Sequence, residues 1–151
     1  MSMTRSFTFT NIRAGWVDVE VWTSSGAQVI DGSYLTDAIR DFVDALASLA
    51  TTPTATCRWE QEPGELEWAF NRSGDHLTVT GSFLNCDNKQ PGFECSFRYR
   101  SFCRDVQDSL NGLKNAMGLP GFEKEWGYPF PTEALRKLEN AIASKVAPET
   151  V

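Results

Sequence analysis

The sequence predicts an α+β domain of element order ββαββββαα, with an antiparallel sheet of five to six strands and helices packed on one face. Two observations carry that expectation. Apolar residues alternate with period two in consecutive runs separated by short Gly, Pro, Asn or Asp turns. Three further stretches space their apolar residues three and four apart, between or after those runs, which places helices over an antiparallel sheet rather than between parallel strands.

The first two runs are FTFTNI at 7–12 and WVDVEVW at 16–22, with Gly15 between them, a hairpin pattern. After a break at Gly32, Leu35, Ile39, Phe42, Val43, Leu46 and Leu49 fall on one helical stripe, with Ser33 as N-cap and an end near Ala50, before Pro53. Ala55, Cys57 and Trp59, then Leu66, Trp68 and Phe70, alternate on either side of a Pro63-Gly64 turn and form a second hairpin. A turn at Ser73-Gly74-Asp75 leads into HLTVTGSFL, and the polar stretch NCDNKQPG reads as a loop before FECSFRYR. From Ser101 the period is helical again, with Phe102, Val106, Leu110, Leu113 and Met117 in line and Gly118 at the C-cap position. LPGFEKEWGYPFP reads as an aromatic loop, Pro131-Thr132 opens a last helix through Leu135, Leu138 and Ile142, and residues 147–151 fray.

With 151 residues, 41% of them hydrophobic and 23% charged, the chain has the length and composition of one globular domain, expected to span 1–151 without repeat or linker. The N-terminus lacks the apolar core of a secretion signal, and no apolar run reaches membrane-spanning length, so the expected location is cytoplasmic and no membrane contact is expected. Cys57, Cys86, Cys95 and Cys103 are accordingly read as free thiols, Cys57 and Cys95 as small core residues and Cys86 as an exposed loop residue.

The net charge of −6 is unevenly placed: residues 1–75 carry 5 basic and 11 acidic side chains, residues 76–151 carry 9 of each. An acidic surface repels phosphate backbones and attracts cations, which argues against a nucleic-acid partner and for a basic protein. Asp37, Asp41 and Asp44 recur at i, i+4 and i+7 on the first helix, and Glu60, Glu62, Glu65 and Glu67 crowd the second hairpin. Both groups read as ordinary solvated faces or as a docking surface; Glu60 and Glu67 point away from the Trp59 and Trp68 side, where no dry cleft for carboxylate catalysis would form. Arg98 and Arg100 alternate with Phe97 and Tyr99, so rings and guanidinium groups occupy opposite strand faces and make no stacking platform.

His76, the only histidine, reads as a solvated strand end, and no zinc cluster, Cys-x-x-Cys pair, phosphate loop or nucleophile elbow is present. Asn71-Arg72-Ser73 matches a glycosylation sequon, which has no significance in a chain without a secretion signal. Trp126, Tyr128 and Phe130 among Gly127, Pro129 and Pro131 form a rigid aromatic segment that seals the core or lines a pocket.

The blocks SYLTDAIRDFVDAL (33–46), CRWEQEPGELEW (57–68) and FEKEWGYPFPTEALRKLE (122–139) resemble a family of small bacterial cytosolic proteins, mostly uncharacterised. Its pattern is Ser-Tyr-Leu-x-Asp-Ala, then Trp/Phe-x-x-Glu-Pro-Gly-Glu, then a C-terminal Trp-x-x-Pro-Phe-Pro. Proteins of this kind are similar in size and charge to the immunity proteins of bacterial polymorphic toxin systems. The resemblance implies a non-enzymatic domain that neutralises a cognate toxin and carries over no functional residues; the charge pattern itself offers Asp37, Asp41, Asp44, Glu60, Glu62 and Glu65 as the acidic contact to a basic partner, and no catalytic residue, cofactor or metal is expected. The alternative is a small-molecule-binding domain or an enzyme with a pocket at His76, Trp126, Tyr128 and Phe130. Monomer and homodimer both stay open.

Overall fold

The computed structural model describes residues 6–85 and 88–144, so Cys86 and the 147–151 tail lie outside the described residues. The elements run β1 (Phe7–Arg13), β2 (Trp16–Thr23), β3 (Gly26–Ser33), α1 (Ala38–Ser48), β4 (Thr54–Glu60), β5 (Glu65–Ser73), β6 (His76–Asn85), β7 (Asn88–Arg98), α2 (Tyr99–Trp126) and α3 (Thr132–Ala143). The α+β class and the antiparallel pairing are as expected; the single sheet is not. Two sheets form, β1-β2-β3 and β4-β5-β6-β7.

The extra strand is β3, which pairs with β2 along its whole length from Trp16↔Ser33 to Thr23↔Gly26. Its sequence, GAQVIDGS, hides the alternation because Val29 points out and is 70% exposed, while Gly32 occupies an inward position with no side chain. Gly32 is there for space: a Cβ on it would lie 2.8 Å from the Trp59 ring of β4. The indole fills the seam between β3 and β4, where a continuous sheet would have run a ladder.

The other corrections concern boundaries. Ser33 ends β3 instead of capping α1, Leu35 precedes the helix and is exposed, and Asp37 is the N-cap. Most of the expected polar loop is strand, since β7 begins at Asn88. In α2 the backbone leaves helical geometry at Gly118 (φ 76°), which ends the first helical segment at the anticipated glycine. A second helical segment then takes up residues expected in the aromatic loop, and Pro120 is tolerated because it sits in that segment's first turn, where no intrahelical N–H is needed.

The core gathers around α1. The Phe42 ring stacks on Phe7 of β1 at 5.0 Å and meets Trp68, Trp59 and Phe70 of the second sheet at 4.8, 5.5 and 5.5 Å between centroids. From the other side, Phe102 of α2 reaches Phe7 at 5.4 Å. Ser6 N and Phe9 N donate to the Asp105 carboxylate and to Ser109 Oγ, so side chains of α2 hold β1.

Gly32→Ala forces the Trp59 ring or the β3 backbone to shift, and we expect a loss of about 1–3 kcal/mol in urea-denaturation stability, the usual range for an overpacked core.

Candidate functional site

The acidic residues do not form the uniform surface their spacing implied. Asp37 is buried, 7% exposed, and one carboxylate oxygen accepts from Arg40 N at 3.3 Å and from Trp126 Nε1 at 2.9 Å. Burial pushes its carboxyl above the ordinary range, partly offset by those two donors. Asp37 is therefore a structural N-cap and leaves the docking stripe. Asp41 and Asp44 are half-buried; Asp41 pairs with Arg40 at 3.3 Å, and both line a shallow groove of about 670 Å³ whose other wall is β4, including Cys57 and Arg58. Burial raises the Cys57 thiol far above its ordinary value, so this groove holds no reactive thiolate.

The carboxylates at the tip of the β4–β5 hairpin do converge. Glu60 is directly opposite Glu65 in the ladder, with Glu62 in the connecting turn. Burial first, then the contact with Glu65 and the charges of Glu65 and Glu62, hold the Glu60 carboxyl above its ordinary value. Glu65 is partly neutralised by Arg58 at 3.8 Å, and Arg58 also reaches Glu67, which Lys89 pairs at 3.0 Å and which is held low. Glu60 and Trp59 occupy opposite strand faces, as the period required.

Sequence reasoning missed the continuation of this surface. Gln61 Nε2 donates to the Asp31 backbone carbonyl at 3.1 Å and to its carboxylate at 3.4 Å, binding the hairpin tip to the outward face of β3. Asp31 is opposite Asp18 of β2, and both line an open depression of about 310 Å³ with Asn11, Arg13 and Trp16. Burial and the Asp18 charge raise the Asp31 carboxyl. The signal was present in WVDVEVW: Val17, Val19 and Val21 face the core, so Trp16, Asp18, Glu20 and Trp22 share the outward face. Among the described residues, Asp18, Asp31, Asp44, Glu60 and Glu62 make no ion pair.

The alternative pocket does not assemble. His76 is exposed and pairs with Arg98 just before α2, whereas Trp126 is the last residue of α2 and lies buried at the start of α1. Phe130 packs on Phe122, and Tyr128 donates its hydroxyl to the Tyr34 carbonyl at 2.8 Å. A depression of about 230 Å³ beside Trp126 is lined by Gly15, Tyr34, Lys124 and Glu125, without His76. Arg72, which the sequence offered only as part of a sequon, is buried and caps α1 from the far side, donating to Leu49 O at 2.9 Å while stacking on the Tyr99 ring. No helix of the described residues is long and apolar enough to cross a membrane, and no three of their His, Cys, Asp or Glu side chains are grouped to hold a metal ion. Comparison with known proteins returned no matching family model, no similar curated protein and no similar solved structure.

Asp37→Ala removes the cap and strands the buried Trp126 donor, so we expect it to lose about 2–3 kcal/mol in urea denaturation. Asp37→Asn, which keeps one oxygen for both donors, should lose less than about 1 kcal/mol. Asp31 tests the acidic surface. Its raised folded-state pKa means that the folded chain binds the proton more tightly, so the penalty is complete above the folded pKa and absent below the unfolded one. Asp31→Asn should therefore be at least as stable as the parent at neutral pH, with urea midpoints that vary less between about pH 4 and 7.

Proposed function

We propose that this chain is a non-enzymatic protein-binding domain that docks a basic partner on the surface formed by Asp18, Asp31, Glu60, Glu62 and Glu65, and that it acts as an immunity-type inhibitor of a cognate bacterial toxin in the cytoplasm. One observation carries the reading: Gln61 fixes the hairpin tip against β3, so carboxylates from two sheets adjoin, and four of the five have no cationic partner among the described residues. Like charges held together in a folded surface weaken it, and a basic partner relieves that repulsion on binding. Asp41 and Asp44 extend the same field along the groove beside β4. Trp16, half-buried beside Asp18 and Asp31, supplies the aromatic contact that holds such complexes once charge has steered them together. The family resemblance gives this binding role its direction towards toxin neutralisation.

Affinity capture from the native host at low and high salt, followed by co-expression with the captured protein, tests the reading. We expect one basic protein in near-stoichiometric, salt-sensitive amounts, whose toxicity to growth the chain suppresses. The variant Asp31→Lys/Glu60→Lys/Glu62→Lys should fold, by circular dichroism, and lose both capture and protection. Undiminished protection by that folded variant would remove this surface from the proposal.

A further inference from the structure

Of the four strands that end a sheet, three have neighbours along their outer edge. β1 is held by Asp105 and Ser109 of α2, β3 and β4 face each other across the Trp59 seam, and α1 borders the groove beside β4. β7 has neighbours too, since β2 and α2 approach it and Phe97 packs on Phe102 at 4.9 Å between centroids, but among the described residues no other strand and no loop backbone hydrogen-bonds to its outer edge. Its side chains show the same asymmetry. Phe93, Cys95 and Phe97 pack towards the core yet stay only half-buried, so the inner layer is open along this side. A strand edge without backbone pairing is a template for strand addition.

We propose that β7 pairs antiparallel with β7 of a second copy, joining two four-stranded sheets into one of eight strands about a twofold axis beside Ser96. The register follows from symmetry and charge. A twofold pairing that keeps both core-facing rows on the same side of the joined sheet must set some residue opposite itself. Centring on Glu94 brings like charges together, and centring on Cys95 or Phe97 leaves Glu94 and Arg98 unmatched. Centring on Ser96 sets Glu94 against the second copy's Arg98 and Cys95 against its Phe97, each twice. Neither Glu94 nor Arg98 makes an ion pair among the described residues. Burial, then the Glu94 charge, raise the Cys95 thiol to about 11, so it enters the pairing uncharged. Pro91 has no N–H to offer and ends the ladder on one side, and the turn into α2 at Tyr99 ends it on the other. The acidic surface lies by β4, at the opposite edge of the sheet, so dimerisation leaves it free.

Sedimentation equilibrium over a range of concentrations tests the pairing by charge exchange. The parent chain should dimerise and dissociate on dilution. Glu94→Arg and Arg98→Glu, each confirmed folded by circular dichroism, should weaken dimerisation about tenfold or more, because two favourable cross-strand pairs become two like-charge pairs. An equimolar mixture of the two variants, or both changes in one chain, should restore it. A parent chain that is monomeric at every concentration, a dimer indifferent to either substitution, or failure of the mixture to recover would each overturn the pairing.

Discussion

Helix α1 is held at both ends by the two terminal residues of α2, and the rest of the fold is arranged around that clamp. Tyr99, which opens α2, donates its hydroxyl to Leu46 O at 2.7 Å near the C-terminus of α1; Trp126, which closes α2, donates its indole N–H to the Asp37 cap. The two anchor points on α1 are nine residues apart, about 14 Å of helix, whereas 28 residues of straight helix would span about 42 Å. The departure from helical geometry at Gly118 reconciles these lengths, because it lets the last turns of α2 return towards the start of α1. Each bond also gives a buried side-chain donor, the Tyr99 hydroxyl or the Trp126 indole N–H, its acceptor.

Because α1 is fixed, its apolar face becomes the meeting point of two sheets that share no ladder. Phe42 touches rings from both, so the aromatic cluster does the joining that hydrogen bonds do inside each sheet. That arrangement leaves Trp59 Nε1 and Trp68 Nε1 buried without a hydrogen-bond partner among the described residues. An orphaned donor costs about 1–3 kcal/mol, and the burial of each large ring offsets it. Trp59 matters most, since its indole lies over Gly32 and keeps β3 and β4 apart.

The same seam creates the acidic surface. By preventing a ladder between β3 and β4 it places the hairpin tip beside the outward face of β3, where Gln61 bridges to Asp31. Carboxylates from the two sheets, 29 to 47 positions apart in sequence, then share one field, and burial with mutual repulsion raises Asp31 and Glu60. Repulsion of this kind lowers the stability of the folded chain. The open β7 edge lies across the sheet from it, so the two surfaces are physically independent.

The sequence alone determined the α+β class, six of the seven strands, all three helices and the direction in which Trp59, Trp68, Glu60 and Glu67 point, because period and turn chemistry are local properties of the chain. It located the charge excess in the first half but misassigned Asp37, whose regular spacing with Asp41 and Asp44 says nothing about the indole that buries it from 89 residues away. It also passed over β3, whose exposed Val29 and side-chain-free Gly32 erase the alternation that marks a strand. Tertiary structure alone decided that there are two sheets, that Asp18 and Asp31 join the hairpin carboxylates, and that His76 stands apart from Trp126. The physical reason is the same in each case: which side chains meet across a seam depends on long-range packing, here a tryptophan over a glycine, and no periodicity within either segment encodes it.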